Sequence, residues 1–321
     1  MANPASIYII APGGFQSGGP ELVHQLCHNL RQKGVDAAMV YAPFFRSFDT
    51  PDRFKKYDVR VAKVSDISPR DIVVLPEVYS GYIKRFKRQR VFFWWMSVDF
   101  YFSSNNWKYA LRSGMLPWNF HDIKARPFPT HVEKHLVQSE YAREFLKQHD
   151  VFNIETLSDY LNDDYFLDQV DRNTEKEDIV AYNPSKGWEF TEKIIAAAPE
   201  TTFVPIKNMT RDEVIALLRR AKIYIDFGNH PGKDRIPREA AMLGCCVITN
   251  RRGSAANSVD VPIDSSYKID DSDPNFASKA AVKIAHTMEE FKARTHDFDK
   301  YRDSIRSEPA LFGHDIDRIF L

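Results

Sequence analysis

Just after the apolar run Ile223-Tyr-Ile-Asp226, the chain crowds His230, Lys233 and Arg235 into a few residues bounded by glycine and proline. Pro237 is well placed to open a helix. Glu239 falls in that helix's first turn, where a carboxylate is electrostatically favoured and can meet a pair of ribose hydroxyls. Three cationic or titratable groups in a loop held by Gly and Pro suit the phosphates of a nucleotide. A solvated loop is the plainer account of the same residues. Two further loops have related chemistry. Asn183-Pro-Ser-Lys186-Gly187 joins a strand to a helix and can set an ammonium on a diphosphate. Gly13-Gly-Phe-Gln-Ser-Gly18-Gly19 opens a helix with Glu21 in its first turn, and its glycines let backbone amides approach an anion or a sugar oxygen. It matches neither the dinucleotide fingerprint nor the P-loop, and a tight turn alone also explains it.

These loops need elements that bring them to one place. Ser6–Pro12 is a β-rich run, helical spacing links Leu22, Val23, Leu26, Cys27 and Leu30, and Ala37–Tyr41 is the next strand. Strand signals recur at 71–75, 90–95 and 135–138, the last leading into a helix over 139–149. The pattern breaks into polar and charged residues between 155 and 178. It then restarts, with strands at 179–182, 202–206, 223–226 and 246–249 alternating with helices. The expected fold is α/β, two Rossmann-like parallel-sheet domains facing a central cleft. Residues 1–160 form the first domain and 161–296 the second, with a helix over 297–321 crossing back to the first. Ligands of open parallel sheets sit at the carboxyl ends of the strands, where all three loops lie.

Composition narrows the classes. The 321 residues suffice for two cores, and 43% apolar against 27% charged residues is globular. Lys plus Arg equals Asp plus Glu at 44 each, so no nucleic-acid partner is expected. The local basic run Lys84, Arg85, Lys87, Arg88, Arg90 reads as a solvated helix face or as an anionic contact at a membrane surface. Cys27, Cys245 and Cys246 have neither disulfide nor metal spacing and fit a reducing cytoplasm. No secretory leader or membrane-spanning run is evident.

The segment from Arg235 to Ile248, with Glu239-Ala-Ala-Met-Leu-Gly244-Cys-Cys-Val-Ile248, resembles the donor-binding motif of retaining GT-B glycosyltransferases of the family-4 group. Lys186-Gly187 is similar to that group's phosphate-binding turn, Gly18-Gly19-Pro-Glu21-Leu to its N-terminal loop, and Leu136–Tyr141 to its strand and helix before the linker. The matches keep the family's order over most of the chain. Three positions depart from it. Pro231 stands where the family has the first of two paired glutamates, leaving His230 or Asp234 for that role. The family's phosphate-binding arginine a few residues before the lysine is missing, since residues 179–183 contain none. Asp99 is the nearest polar group where a histidine follows the fourth strand. The pair His230-Pro231 also resembles the His-Pro motif of transferases that use CMP-sugars.

The resemblance implies transfer of a sugar from a nucleotide-sugar donor to a glycan or lipid-linked acceptor, with no metal or other cofactor expected, and a retaining outcome in surface polysaccharide synthesis. Asp99 and His230 are the candidate catalytic residues. Gly18, Gly19, Lys186, Lys233, Arg235 and Glu239 are the candidates for the donor's nucleotide and phosphates. Tyr101 and Trp107, beyond the aromatic strand Phe92–Trp95, are candidates for stacking on an acceptor. A cytoplasmic enzyme with peripheral contact at the inner membrane surface is expected. An epimerase or hydrolase on the same fold, or an inactive nucleotide- or sugar-binding subunit, would use the same residues.

Overall fold

Two separate parallel sheets organise the chain, and each is built by strands too apolar to leave either face in water. The structure is a computed structural model that describes residues 5–103, 128, 131–166 and 175–321. The chain divides into two units, Met1–Asp159 with Leu311–Leu321, and Tyr160–Ala310.

The first unit runs β1 (Ile7–Pro12), α1 (Gly18–Gln32), β2 (Ala37–Ala42), β3 (Ile72–Pro76), β4 (Arg90–Trp95), α2 (Val98–Ser103), β5 (Lys134–Val137), α3 (Glu140–Lys147) and β6 (Ile154–Thr156). Its sheet has the order β2-β1-β3-β4-β5-β6, with every pairing parallel. Phe92, Phe93, Trp94 and Trp95 are all buried, so β4 is covered on both faces, as a strand inside a parallel sheet must be. Leu22, Val23, Leu26, Cys27 and Leu30 form the buried stripe that lays α1 on this sheet. Ser139 starts α3 by accepting the Ala142 amide at 3.2 Å.

The second unit runs β7 (Glu177–Tyr182), α4 (Trp188–Ala197), β8 (Thr202–Pro205), α5 (Arg211–Arg220), β9 (Ala221–Asp226), α6 (Arg235–Met242), β10 (Cys246–Asn250), β11 (Lys268–Ile269) and α7 (Phe276–Glu289). Its parallel sheet has the order β11-β10-β9-β7-β8. Thr210 and Glu213 close a reciprocal capping box at the start of α5. Lys176 staples the far end of this unit. Its ammonium donates to the carbonyls of Leu218, Ala221 and Leu243 at 3.0, 2.8 and 2.8 Å, a cation at the carboxyl ends of α5 and α6 where helix dipoles favour one. All three cysteines are buried thiols, and burial pushes Cys27 and Cys246 up to about 12.

A last helix, α8 (Asp299–Phe320), spans the division between the units, with Pro309 inside it. Among the described residues, no helix is long and apolar enough to cross a membrane.

Candidate functional site

In the second unit, β10, β9 and β7 are neighbours, so the loops that follow them lie side by side at the carboxyl edge of the sheet. Two glycines let these loops touch. Gly187 is the N-cap of α4 at φ +59°, and a Cβ there would stand 2.0 Å from the carbonyl oxygen of Phe227. Gly253, at φ +51°, would put a Cβ 2.0 Å from the carbonyl oxygen of His230. Any other residue at either position forces the loops apart.

His230 is the hub of this edge. It is 1% exposed and holds a left-handed backbone at φ +48°. Its Nδ1 lies 2.8 Å from Oδ2 of Asp234, and its Nε2 lies 3.2 Å from the Asp226 carbonyl oxygen and 3.6 Å from that residue's Oδ1. Both nitrogens face acceptors, so the ring is satisfied when both donate, as an imidazolium. Burial opposes that charge, but the Asp226 and Asp234 carboxylates outweigh it and raise the His230 pKa above the ordinary value. Asp226 is itself fixed, accepting the Gly228 amide at 3.0 Å and the Tyr224 hydroxyl at 3.1 Å. His230 was expected to carry out chemistry. Its geometry is that of a cation that fixes the loop, with both nitrogens engaged inside the chain.

Each cation expected to meet phosphate is engaged by a carboxylate of the same unit. Lys186 Nζ lies 2.7 Å from Asp234 Oδ1. Burial disfavours both charges, yet His230 and Lys186 hold the Asp234 carboxyl well below the usual range, and Asp234 with Asp226 raises Lys186. Lys233 Nζ lies 2.9 Å from Glu308 Oε1, whose Oε2 accepts Arg238 Nη1 at 2.8 Å. Arg238, buried, also donates to the carbonyls of Asp234 at 3.2 Å and Lys233 at 3.1 Å, bracing the end of the loop. Arg235 Nε lies 3.6 Å from Oε1 of Glu239, which is 8% exposed on α6. Behind the loop, His230, Asp234, Arg238, Thr249 and Tyr301 help line a cavity of about 10 Å³, room for roughly one water.

Among the described residues, Asp226, His230 and Asp234 bring metal-ligand atom types within 4.8 Å of one another. A divalent ion there would have to displace a proton from His230 and Lys186 from Asp234. These two groups supply the positive charge that the carboxylates need.

In the first unit, Gly18 and Gly19 open α1, and Gly13 turns where a Cβ would overlap the Phe48 ring at 2.3 Å. Arg53 ties the loop down, donating to the Gln16 carbonyl at 3.2 Å and meeting the fully buried Glu21 at 3.4 Å. Asp99 is half-buried in the first turn of α2, and its charge raises the Tyr141 phenol after burial has done so. Tyr101 is 2% exposed, 4.7 Å from the Trp95 ring and stacked on Phe128, so it belongs to the core and offers no open face. Trp107 lies outside the described residues. One buried acid was missed. Glu77 follows β3 directly and accepts the Met96 amide at 3.1 Å, and burial pushes its carboxyl up to about 8. It anchors the segment after β4 that carries Asp99. A carboxylate placed at the ligand end of a buried strand was the available signal.

No protein-family model matches the chain, and no curated protein matches it. Solved structures match along nearly its whole length. The Anabaena protein HepE, solved with UDP-glucose, has a TM-score of 0.64 at 9% identity over 98% of this chain and 99% of that one. Sucrose-phosphate synthase from Thermosynechococcus elongatus gives 0.65 at 12% over 99% and 98%. WaaG, a glycosyltransferase involved in lipopolysaccharide biosynthesis, gives 0.62 at 12% over 96% and 98%. At these identities the likeness is one of fold, and the fold is GT-B, with two parallel-sheet α/β units.

Proposed function

We propose that this chain is a glycosyltransferase that moves a sugar from a nucleotide-sugar donor to a glycan or lipid-linked acceptor, retaining and independent of metal, in surface polysaccharide synthesis. The observation that carries the reading is the gathering of Lys186, Lys233, Arg235 and Glu239 at one sheet edge, on a fold shared with HepE and WaaG. When the bond from the anomeric carbon to the diphosphate breaks, negative charge grows on the leaving group. Lys186 and Lys233 are the ammonium groups suited to meet it, and one preorganised donor of this kind contributes on the order of 3 kcal/mol. Glu239 accepts hydroxyls of the ribose or the sugar, with Arg235 orienting its carboxylate. The amides of Gly18 and Gly19 favour a phosphate or sugar oxygen, and Asp99 is the first acid along the chain after β4. Retention and metal independence rest on the resemblance of the 235–248 segment. The proposed setting is the cytoplasm, with the first unit's exposed basic segment touching the membrane surface.

A second reading, a nucleotide-binding subunit without turnover, is favoured by Pro231 in place of a glutamate and by His230's engagement on both nitrogens. Thermal shifts with UDP, GDP, CMP, ADP and dTDP, followed by a transfer assay, separate the readings. A ligand at a hundred times its Kd stabilises by about 2.7 kcal/mol. Stabilisation by one nucleotide together with acceptor-dependent transfer is the expected result. No stabilisation by any of them sinks the donor reading. Binding without turnover selects the subunit, and turnover without acceptor selects a hydrolase or epimerase.

A further inference from the structure

Charge around the candidate phosphate site is almost cancelled within the second unit. Lys186, His230, Lys233, Arg235 and Arg238 are answered by Asp226, Asp234, Glu239 and Glu308, one charge short. An incoming diphosphate therefore has little uncompensated charge to meet. It must take a cation away from a carboxylate, and the carboxylates differ in how readily they give one up. Glu308 bridges two cations, Lys233 and the buried Arg238, but the Lys233 side chain is only 16% exposed and has little room to leave it. Glu239 shares a helix with Arg235. Asp234 is different. One of its oxygens faces His230, which has no other carboxylate as near, and the other faces Lys186. The Lys186 side chain is 38% exposed and that of Asp234 16%. The lysine is thus the partner able to swing, and the aspartate keeps a second cation when it does.

We propose that Asp234 is an internal counter-ion that Lys186 exchanges for the donor's diphosphate, so that Asp234 sets how tightly the leaving nucleotide is held. This rests on the donor reading above. In the exchange Lys186 passes from one anion to another without an interval as an uncompensated half-buried charge. Asp234 acts through Lys186, as a positioning residue. Removing its charge should leave Lys186 committed to phosphate and slow nucleotide release.

The probe is inorganic pyrophosphate, the part shared by all nucleoside diphosphates, titrated calorimetrically alongside the five nucleotides. Asp234→Asn keeps the size of the residue and removes its charge. It should tighten pyrophosphate about tenfold, the scale of a charge-assisted hydrogen bond, and lower kcat and KM together. In a Lys186→Met background the same substitution should change affinity less than twofold, which a merely structural role would not produce. Unchanged or weaker binding by a folded Asp234→Asn protein overturns the inference. Should that variant not fold, a crystal structure of the native chain with pyrophosphate decides. Lys186 Nζ on a phosphate oxygen and away from Asp234 supports the exchange, and Nζ still at its present 2.7 Å from Asp234 beside bound pyrophosphate overturns it. If the native chain binds neither pyrophosphate nor any nucleotide, the donor reading falls and takes this inference with it. If it binds and the exchange fails, only the inference falls.

Discussion

The imidazole of His230 sits between two carboxylates on a left-handed backbone, and its proton has consequences that a thermometer can read. Because Asp226 and Asp234 outweigh burial and raise its pKa, the folded chain binds this proton more tightly than the unfolded chain does. The resulting stabilisation is fully present below the ordinary imidazole value of about 6.5 and is lost as pH rises through the raised folded value. His230→Asn is the suitable comparison, since Asn tolerates left-handed backbone better than most residues. Melting temperatures measured from pH 6 upward should fall more steeply for the native chain than for the variant. Glu77, whose carboxyl is raised to about 8, titrates in the same direction in the other unit, but it is present in both proteins and drops out of the difference. Parallel curves would mean that His230 is neutral in the folded chain. At this scale the sequence was legible in types more than in pairings. Lys186, His230, Lys233 and Arg235 stood out because they crowd the ends of strands. Of their carboxylate partners, Asp234 and Glu239 were legible in the same segment, but Glu308 was not, since it lies 70 positions from Arg238 in a helix with no motif.

At the level of elements, periodicity exposed the long apolar strands and missed the short ones. β6 and β11 have three and two residues, too few for any alternation, and both stand at sheet edges where only a neighbour's hydrogen bonds define them. Nor could spacing join the basic run to a second segment. The loop after β2 packs on it, with Phe44 4.6 Å from the Tyr82 ring and the Arg85 guanidinium 5.4 Å from Phe44. The joined face carries Arg46, Lys84, Arg85, Lys87 and Arg88, all exposed, with Phe45 73% exposed beside them. Arg90 is taken up by Glu133 at 2.7 Å. In a chain of zero net charge this concentration fits a surface of anionic headgroups. Vesicles containing anionic lipid should sediment the protein, and purely zwitterionic vesicles should not. Each basic residue near such a surface is worth about 1 kcal/mol, so Lys87→Gln with Arg88→Gln should weaken partition about thirtyfold. A protein that stays in solution with anionic vesicles at low salt refutes the membrane contact.

Across the whole molecule, α8 is the element that belongs to both units. Up to Ala310 it counts with the second, where Glu308 holds Lys233 and Arg238. Its last turns count with the first, and their contacts there are numerous. Asp315 accepts both the amide and the hydroxyl of Ser158, at 2.9 and 2.8 Å. Lys33 meets Asp317 at 2.6 Å, Arg318 donates to the Thr156 carbonyl at 2.7 Å, and the Phe320 ring lies 5.6 Å from that of Phe92. Phe312, Ile316 and Ile319 are buried, and each apolar side chain of this size contributes about 1.5–3 kcal/mol. Removing residues 309–321 keeps Glu308 but uncovers the edge of the first sheet that these side chains protect. The expected result is a loss of stability on the order of 5 kcal/mol, a large part of what a domain has to lose. Glycosyl transfer should fall with it. A separate measurement distinguishes lost packing from lost chemistry. Asp315→Ala leaves the helix in place and deprives the two Ser158 donors, and Arg318 at 3.2 Å, of their acceptor, which should cost about 1–3 kcal/mol of stability while pyrophosphate affinity stays unchanged. If the truncated chain were soluble, equally stable and fully active, the last turns of α8 would be an ornament on the first unit, and their buried stripe would need another explanation.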